Sequence, residues 1–104
     1  MKVGLFVEGQ NGLTWERWSR VLRTAERLGF HSVMRSDHFF QTEQQESLEA
    51  YTSFVVAAKE TRQVHFGPLV TPVMVRSPVE VGRMAAQLDV LSGGRFVLGL
   101  GVGG

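Results

Sequence analysis

The chain has 104 residues, 43% of them hydrophobic and 20% charged, with a formal net charge of +1, the profile of one globular domain or part of one. Lys and Arg are scattered, so the sequence offers no basic surface for nucleic acid or acidic lipid. With no cysteine, disulfides, thiolate metal sites and cysteine nucleophiles are excluded, and no pair among His31, His38 and His65 stands at metal-ligand spacing.

The opening apolar run, Val3 to Val7, has strand character and ends at Glu8, too early for a signal peptide. After the loop signal Gly9-Gln10-Asn11-Gly12, Thr14 can cap a helix. Its apolar positions Trp15, Trp18, Val21, Leu22, Ala25 and Leu28 recur at steps of three and four, forming one stripe that Gly29 terminates. A second strand is predicted over Ser32 to Ser36, followed by a Gln/Glu-rich loop (41–46). A second helix begins near Ser47, with Leu48, Tyr51, Val55 and Ala58 as its buried stripe. A third strand runs from Val64 through Val70. The Gly67-Pro68 pair inside it predicts a bulge or strained backbone, because proline cannot donate to a ladder.

The third helix has the clearest start signal. Ser77 is the N-cap, Pro78 lies in the first turn and Glu80 completes a capping box. Val81, Met84, Ala85, Leu88 and Leu91 form its apolar face and Gly93 ends it, before a fourth strand over Arg95 to Leu100. The uncharged stretch 63–75 holds two prolines and is too short to span a bilayer. A soluble, cytoplasmic chain is therefore the expectation.

Strand starts at positions 3, 32, 64 and 95 recur about every 31 residues, the average unit of an eight-fold barrel of about 250 residues. Alternating strands and helices of this length imply parallel strands and right-handed crossovers. The fold class is α/β, and the chain amounts to roughly three and a half βα units; periodicity alone leaves a barrel and an open sheet both available. The chain ends where its fourth strand would need cover. The expectation is therefore a partial domain over 1–104, lacking a C-terminal half, or a half-barrel closed by a partner.

Reactive groups in this architecture belong at the C-terminal ends of the strands. Asp37 and His38 leave the second strand together: a carboxylate accepts hydrogen bonds from a bound ring, and an imidazole exchanges protons near neutral pH. Read structurally, Asp37 caps its loop and His38 is an incidental surface residue. Thr71 offers a hydroxyl where the third strand exits. Gly99-x-Gly101-x-x-Gly104 matches a dinucleotide fingerprint in letters, but no helix follows it as that fingerprint requires. Its other reading is a glycine-lined strand end that a flat ring can approach. Trp15, Trp18 and Met84 read as core, Arg95 as structural, and Glu8 and Arg35 as charges that need partners, with pairing to each other one option.

Three runs, Gly67 to Pro78, Leu88 to Phe96 and Leu98 to Gly103, together with Ser36-Asp37-His38-Phe39, resemble the luciferase-like monooxygenase family. The resemblance implies a TIM (β/α)8 barrel that binds FMN or coenzyme F420 at its C-terminal mouth. It further implies a contact from Asp37 to the ring and a catalytic role for His38 at the hydride-transfer centre. A non-prolyl cis peptide is implied at Leu69–Val70, and Leu69, Val70 and Thr71 together with Gly101, Val102 and Gly103 would line the cofactor. Pro68 stands where the family often has threonine. The implied activity is a flavin- or F420-dependent oxidoreductase, acting as a monooxygenase or a dehydrogenase. Two alternatives stand beside it: a non-catalytic or partner-dependent half-barrel, as a homo-oligomer or with a complementing half, and a nicotinamide-binding open sheet.

Overall fold

Parallel pairing sets the frame. The computed structural model describes residues 1–8, 12–37, 48–74 and 76–102. Strand β1 (Gly4–Val7) leads to helix α1 (Trp15–Leu28), β2 (Ser32–Arg35), α2 (Ala50–Glu60), β3 (His65–Pro68), β4 (Thr71–Pro72), α3 (Pro78–Ser92) and β5 (Leu100–Gly101). β1, β2 and β3 pair in that order, all parallel, with Gly4 opposite Ser32 and Ser32 opposite His65. β4 pairs in parallel with β5, Thr71 opposite Leu100, and a bridge between Phe66 and Phe96 links the two ladders. No helix among the described residues is long and apolar enough to cross a membrane.

The helix ends follow the local chemistry. Thr14 accepts the Arg17 N–H at 3.2 Å, and Gly29, at φ 80°, returns its N–H to the carbonyls of Ala25 and Glu26. Ser77 caps α3 by accepting the Glu80 N–H, Pro78 occupies its first turn, and Gly93, at φ 67°, closes it. α2 starts at Ala50 rather than near Ser47, and its cap is Glu49, whose carboxylate accepts from both the N–H and the hydroxyl of Thr52.

Burial corrects three stripes. In α1, Trp18, Leu22 and Ala25 are buried, whereas Trp15 and Leu28, in the terminal turns, are exposed. In α2, Val55 is exposed, and the buried arc runs through Ala50, Tyr51, Ser53, Phe54, Ala57 and Ala58. This helix is packed by α1, α3 and β3, so one narrow stripe cannot describe it. In α3, Val81 and Leu88 are buried but Leu91 is exposed. The core joins these helices to Val33, Val64 and Phe66. Tyr51, Phe54, Phe66 and Phe96 meet there with ring centroids 5.3–6.1 Å apart, within the range of favourable aromatic pairs.

The predicted third strand stops at Pro68, and a separate short strand, Thr71–Pro72, follows it. Up to Pro68 the chain pairs with β2; from Thr71 it pairs with β5. The interruption falls at Gly67-Pro68-Leu69-Val70, and the Leu69–Val70 peptide is cis, at the position the resemblance implied. Glycine is required on both sides of this junction. A Cβ on Gly67 would lie 1.8 Å from the Val97 carbonyl oxygen, and one on Gly99 would lie 2.6 Å from that of Pro68. The predicted fourth strand is likewise displaced: Phe96 makes only an isolated bridge, and regular pairing begins at Leu100.

Candidate functional site

The C-terminal ends of β2, β3, β4 and β5 meet at one rim. The Leu69 N–H donates to the Arg35 carbonyl at 2.9 Å, which ties the exit of β3 to that of β2. The Thr71 and Val73 N–H groups donate to the Gly99 and Gly101 carbonyls at 2.8 and 2.9 Å, which ties β4 to β5. Asp37, Leu69, Val70, Thr71, Gly101 and Val102 therefore come together, as their shared position at strand ends predicts. His38 and Gly103, the other residues singled out from the sequence, lie outside the described residues, as does Gly104.

These rim residues divide into two sets. Leu69 is 50% exposed and Val102 85%, with Val70 also exposed, so these apolar side chains are open to solvent. Asp37 and Thr71 face inward, at 2% and 0%. The Asp37 carboxylate, which the sequence offers to a bound ring, accepts from the Thr71 hydroxyl at 2.9 Å and from Arg76 Nε and Nη2 at 2.7 and 2.8 Å. Arg76 Nη2 also donates to Glu49 Oε2, and the guanidinium carbon lies 4.6 Å from the centre of the Tyr51 ring.

Hydrogen-bond direction in this cluster follows from counting protons. A carboxylate only accepts, so Thr71 gives its single hydroxyl proton to Asp37. The 2.6 Å contact between Tyr51 and Thr71 is therefore donated by the phenol. The chain runs Tyr51 to Thr71 to Asp37. Burial raises the Tyr51 phenol above its usual range, against the hydrogen bond to Thr71, and so keeps it a neutral donor. Burial alone would lower Arg76, but the hydrogen bonds to Asp37 and Glu49 hold it above the usual arginine range. Glu49 shows the converse: burial would raise it, yet Arg76 and Thr52 hold it below the usual carboxylate range.

Two further arginines are buried and structural. Arg35, which the sequence offers as a partner for Glu8, directs Nε to the Ser36 carbonyl, Nη1 to Ser53 Oγ and Nη2 to the Leu48 carbonyl, at 3.0, 3.0 and 2.8 Å. Burial pulls it down to about 10, against the Asp37 and Glu49 charges that favour its protonation. Arg95 binds the end of α2, as its structural reading anticipates. Tyr51, Glu49 and Arg76 went unread as site residues. The signal for Arg76 was its place at the end of the third strand's exit segment; for Tyr51, a polar ring on an otherwise apolar helix stripe. Among the described residues, no group of three or more His, Asp or Glu side chains could hold a metal ion.

The family model for luciferase-like monooxygenases matches residues 1–104. An F420-dependent glucose-6-phosphate dehydrogenase of Intrasporangium calvum is 38% identical over 82 residues, covering 76% of this chain and 25% of that protein. An F420-dependent hydroxymycolic acid dehydrogenase of Mycobacterium tuberculosis is 33% identical over 84 residues, covering 78% and 23%. Among solved structures, an F420-dependent secondary alcohol dehydrogenase in complex with an F420-acetone adduct superposes with a TM-score of 0.86 at 26% identity, over 98% of this chain and 32% of that one. The chain thus spans about a quarter of the length of the curated relatives it matches, and its α/β units are an N-terminal part of their TIM-barrel fold. By its sequence along the whole length and by its fold, the chain belongs to the luciferase-like monooxygenase family.

Proposed function

We propose that this chain supplies part of the active-site wall of an F420- or FMN-dependent oxidoreductase acting on a small organic substrate. The observation that carries this reading is the rim itself. Leu69, Val70 and Val102 stand exposed beside a glycine-bearing strand end, at the end of the strands where such barrels place their chemistry. An apolar wall with close backbone approach fits a flat heteroaromatic ring. Leu69, Val70, Gly101, Val102 and Gly103 would hold that ring, with Asp37 and Thr71 bounding the site from behind. When bound, the deazaflavin supplies hydride exchange, and the flavin supplies hydride exchange or oxygen activation. His38 would give or take a proton at the substrate. The F420-dependent relatives support the oxidoreductase reading.

The test is His38→Ala in the full-length enzyme, with turnover and cofactor affinity measured separately. The expected result is a loss of turnover of about 100-fold with cofactor affinity nearly kept. Unchanged turnover refutes the catalytic role of His38, and failure of the wild-type enzyme to bind either F420 or FMN refutes the cofactor assignment.

A partner-closed half-barrel has one observation in its favour. Phe6, Val97, Leu98 and Leu100 are exposed apolar residues on or beside strands that parallel sheets normally cover on both faces. Cofactor-independent oligomers of the 104-residue chain, seen by size measurement, would favour it.

A further inference from the structure

Side chains from three other segments gather around the buried Asp37 carboxylate. Asp37 itself follows β2; Thr71 lies in β4; Tyr51 lies in the first turn of α2, whose cap is Glu49; and Arg76 stands just before α3. The side chains of Asp37 and Arg76 are 1% and 13% exposed, so this pair is interior, with Glu49 at its exposed edge. Its geometry is specific. Arg76 presents Nε and Nη2 to the two oxygens of one carboxylate in a fork that lysine cannot reproduce. Its second acceptor, Glu49, caps the start of α2, and its guanidinium carbon lies over the Tyr51 ring. Tyr51 then reaches Asp37 a second way, through Thr71.

Asp37 and Thr71 belong to the rim, whereas Arg76, Tyr51 and Glu49 stand outside it and reach it through them. Thr71 follows directly on the exposed Leu69 and Val70, and its amide is bonded to the Gly99 carbonyl beside β5. Asp37 follows Arg35 and Ser36, and the Arg35 carbonyl accepts the Leu69 N–H. The Thr71–Asp37 hydrogen bond is therefore a second tie, by side chains, across the junction that the Leu69 N–H and the Arg35 carbonyl join by backbone. Resting on the functional reading given above, we infer that Arg76 and Tyr51 are positioning residues: acting through Asp37 and Thr71, they hold the two halves of the rim at a fixed spacing before any cofactor arrives. The Asp37 carboxylate serves as the anionic knot of this clamp. A site whose supporting shell is locked in this way meets its ligand without reorganisation, and a misplacement of about 1 Å in such a shell can lower turnover about 100-fold.

The test uses the full-length enzyme with Arg76→Gln, Arg76→Lys, Tyr51→Phe and the Tyr51→Phe/Arg76→Gln double variant. Amide hydrogen exchange is measured on the cofactor-free protein, and F420 and FMN affinity, kcat and KM on the loaded one. In the cofactor-free Arg76→Gln protein, the Leu69, Thr71 and Val73 amides should exchange faster while those in the middle of α1 do not. Cofactor affinity or kcat should fall about 10- to 100-fold. Lysine should not restore it, since one ammonium cannot replace the fork. The Tyr51→Phe loss should be smaller, and the double variant should fall short of the product of the two singles because both act on one carboxylate. A general drop in thermal stability with rim exchange, affinity and kcat all unchanged overturns the inference, as does full rescue by Arg76→Lys. Wild-type protein that binds neither cofactor defeats the functional reading alone. The exchange measurement in the cofactor-free variants then decides the clamp, and unchanged rim exchange overturns it.

Discussion

Arg95 offers the sharpest test of how the helices are fixed to the sheet. It is 9% exposed. Its guanidinium donates through Nε to the Ser92 carbonyl at 2.7 Å and through Nη1 to Thr61 Oγ1 and the Val64 carbonyl at 2.6 and 2.8 Å. Nη2 donates to the carbonyls of Ala58 and Thr61 at 3.1 and 3.0 Å. Ala58 lies in the last turn of α2, where helix carbonyls lack intrahelical partners. One side chain thus closes α2, holds the turn into β3 and anchors the end of α3. Arg95→Met keeps an unbranched apolar stem, two atoms shorter, and deletes every donor. Hydrogen bonds to a charged group each contribute about 1.5–3 kcal/mol net, and a buried acceptor stripped of its donor costs about 1–3 kcal/mol. Against this stands relief of the buried charge, since burial holds Arg95 below its usual range while the Glu26 charge partly opposes that effect. Allowing water to reach some of the freed carbonyls, the net loss should be about 3–5 kcal/mol. Arg95→Lys, with one ammonium to serve the same acceptors, should lose about half as much. Urea titration followed by circular dichroism measures this as a lower midpoint at constant slope. A loss below about 1 kcal/mol for Arg95→Met would refute the reasoning, because it would mean that neighbouring groups or water satisfy those carbonyls equally well.

Glu26 should make the fold acid-sensitive. Burial would raise its carboxyl, but N–H donation from Arg62, Val64 and Gln63, with the Arg95 charge, holds it below the usual value. The unfolded chain therefore binds the proton more readily, so Glu26's contribution is complete above about pH 4.3 and is lost as pH falls through the lower folded value. Stability curves from pH 7 to 2 should show this slope in the wild type and lose it in Glu26→Gln. Gly67→Ala places a Cβ 1.8 Å from the Val97 carbonyl oxygen and must push β3 away from the 96–97 segment; a loss of more than about 3 kcal/mol is expected by the same denaturation assay. Normal stability of that variant would show that the two backbones can separate cheaply.

Much of this molecule was legible in the sequence because the signals were local. Thr14 and Gly29, then Ser77, Pro78 and Gly93, satisfy or end the backbone hydrogen bonds of the turns next to them, so the limits of α1 and α3 follow from the residues at those points. The regular spacing of strand starts dictated parallel βα repeats, and the gathering of Asp37, Leu69–Thr71 and Gly101–Val102 at one rim follows from that topology alone. The tertiary structure decided the rest. The buried arc of α2 depends on three neighbours arriving from different parts of the chain, so Val55 faces outward and Phe54 inward. The early end of the third strand arises where Gly67 and Gly99 admit a crossing backbone, a contact between segments some 30 residues apart. Whether Asp37 meets a ligand or an arginine depends on where Arg76 and Tyr51 are carried by the fold, and no local pattern encodes that distance. Local chemistry therefore determined which residues stand at the mouth, and long-range packing decided which way their side chains face.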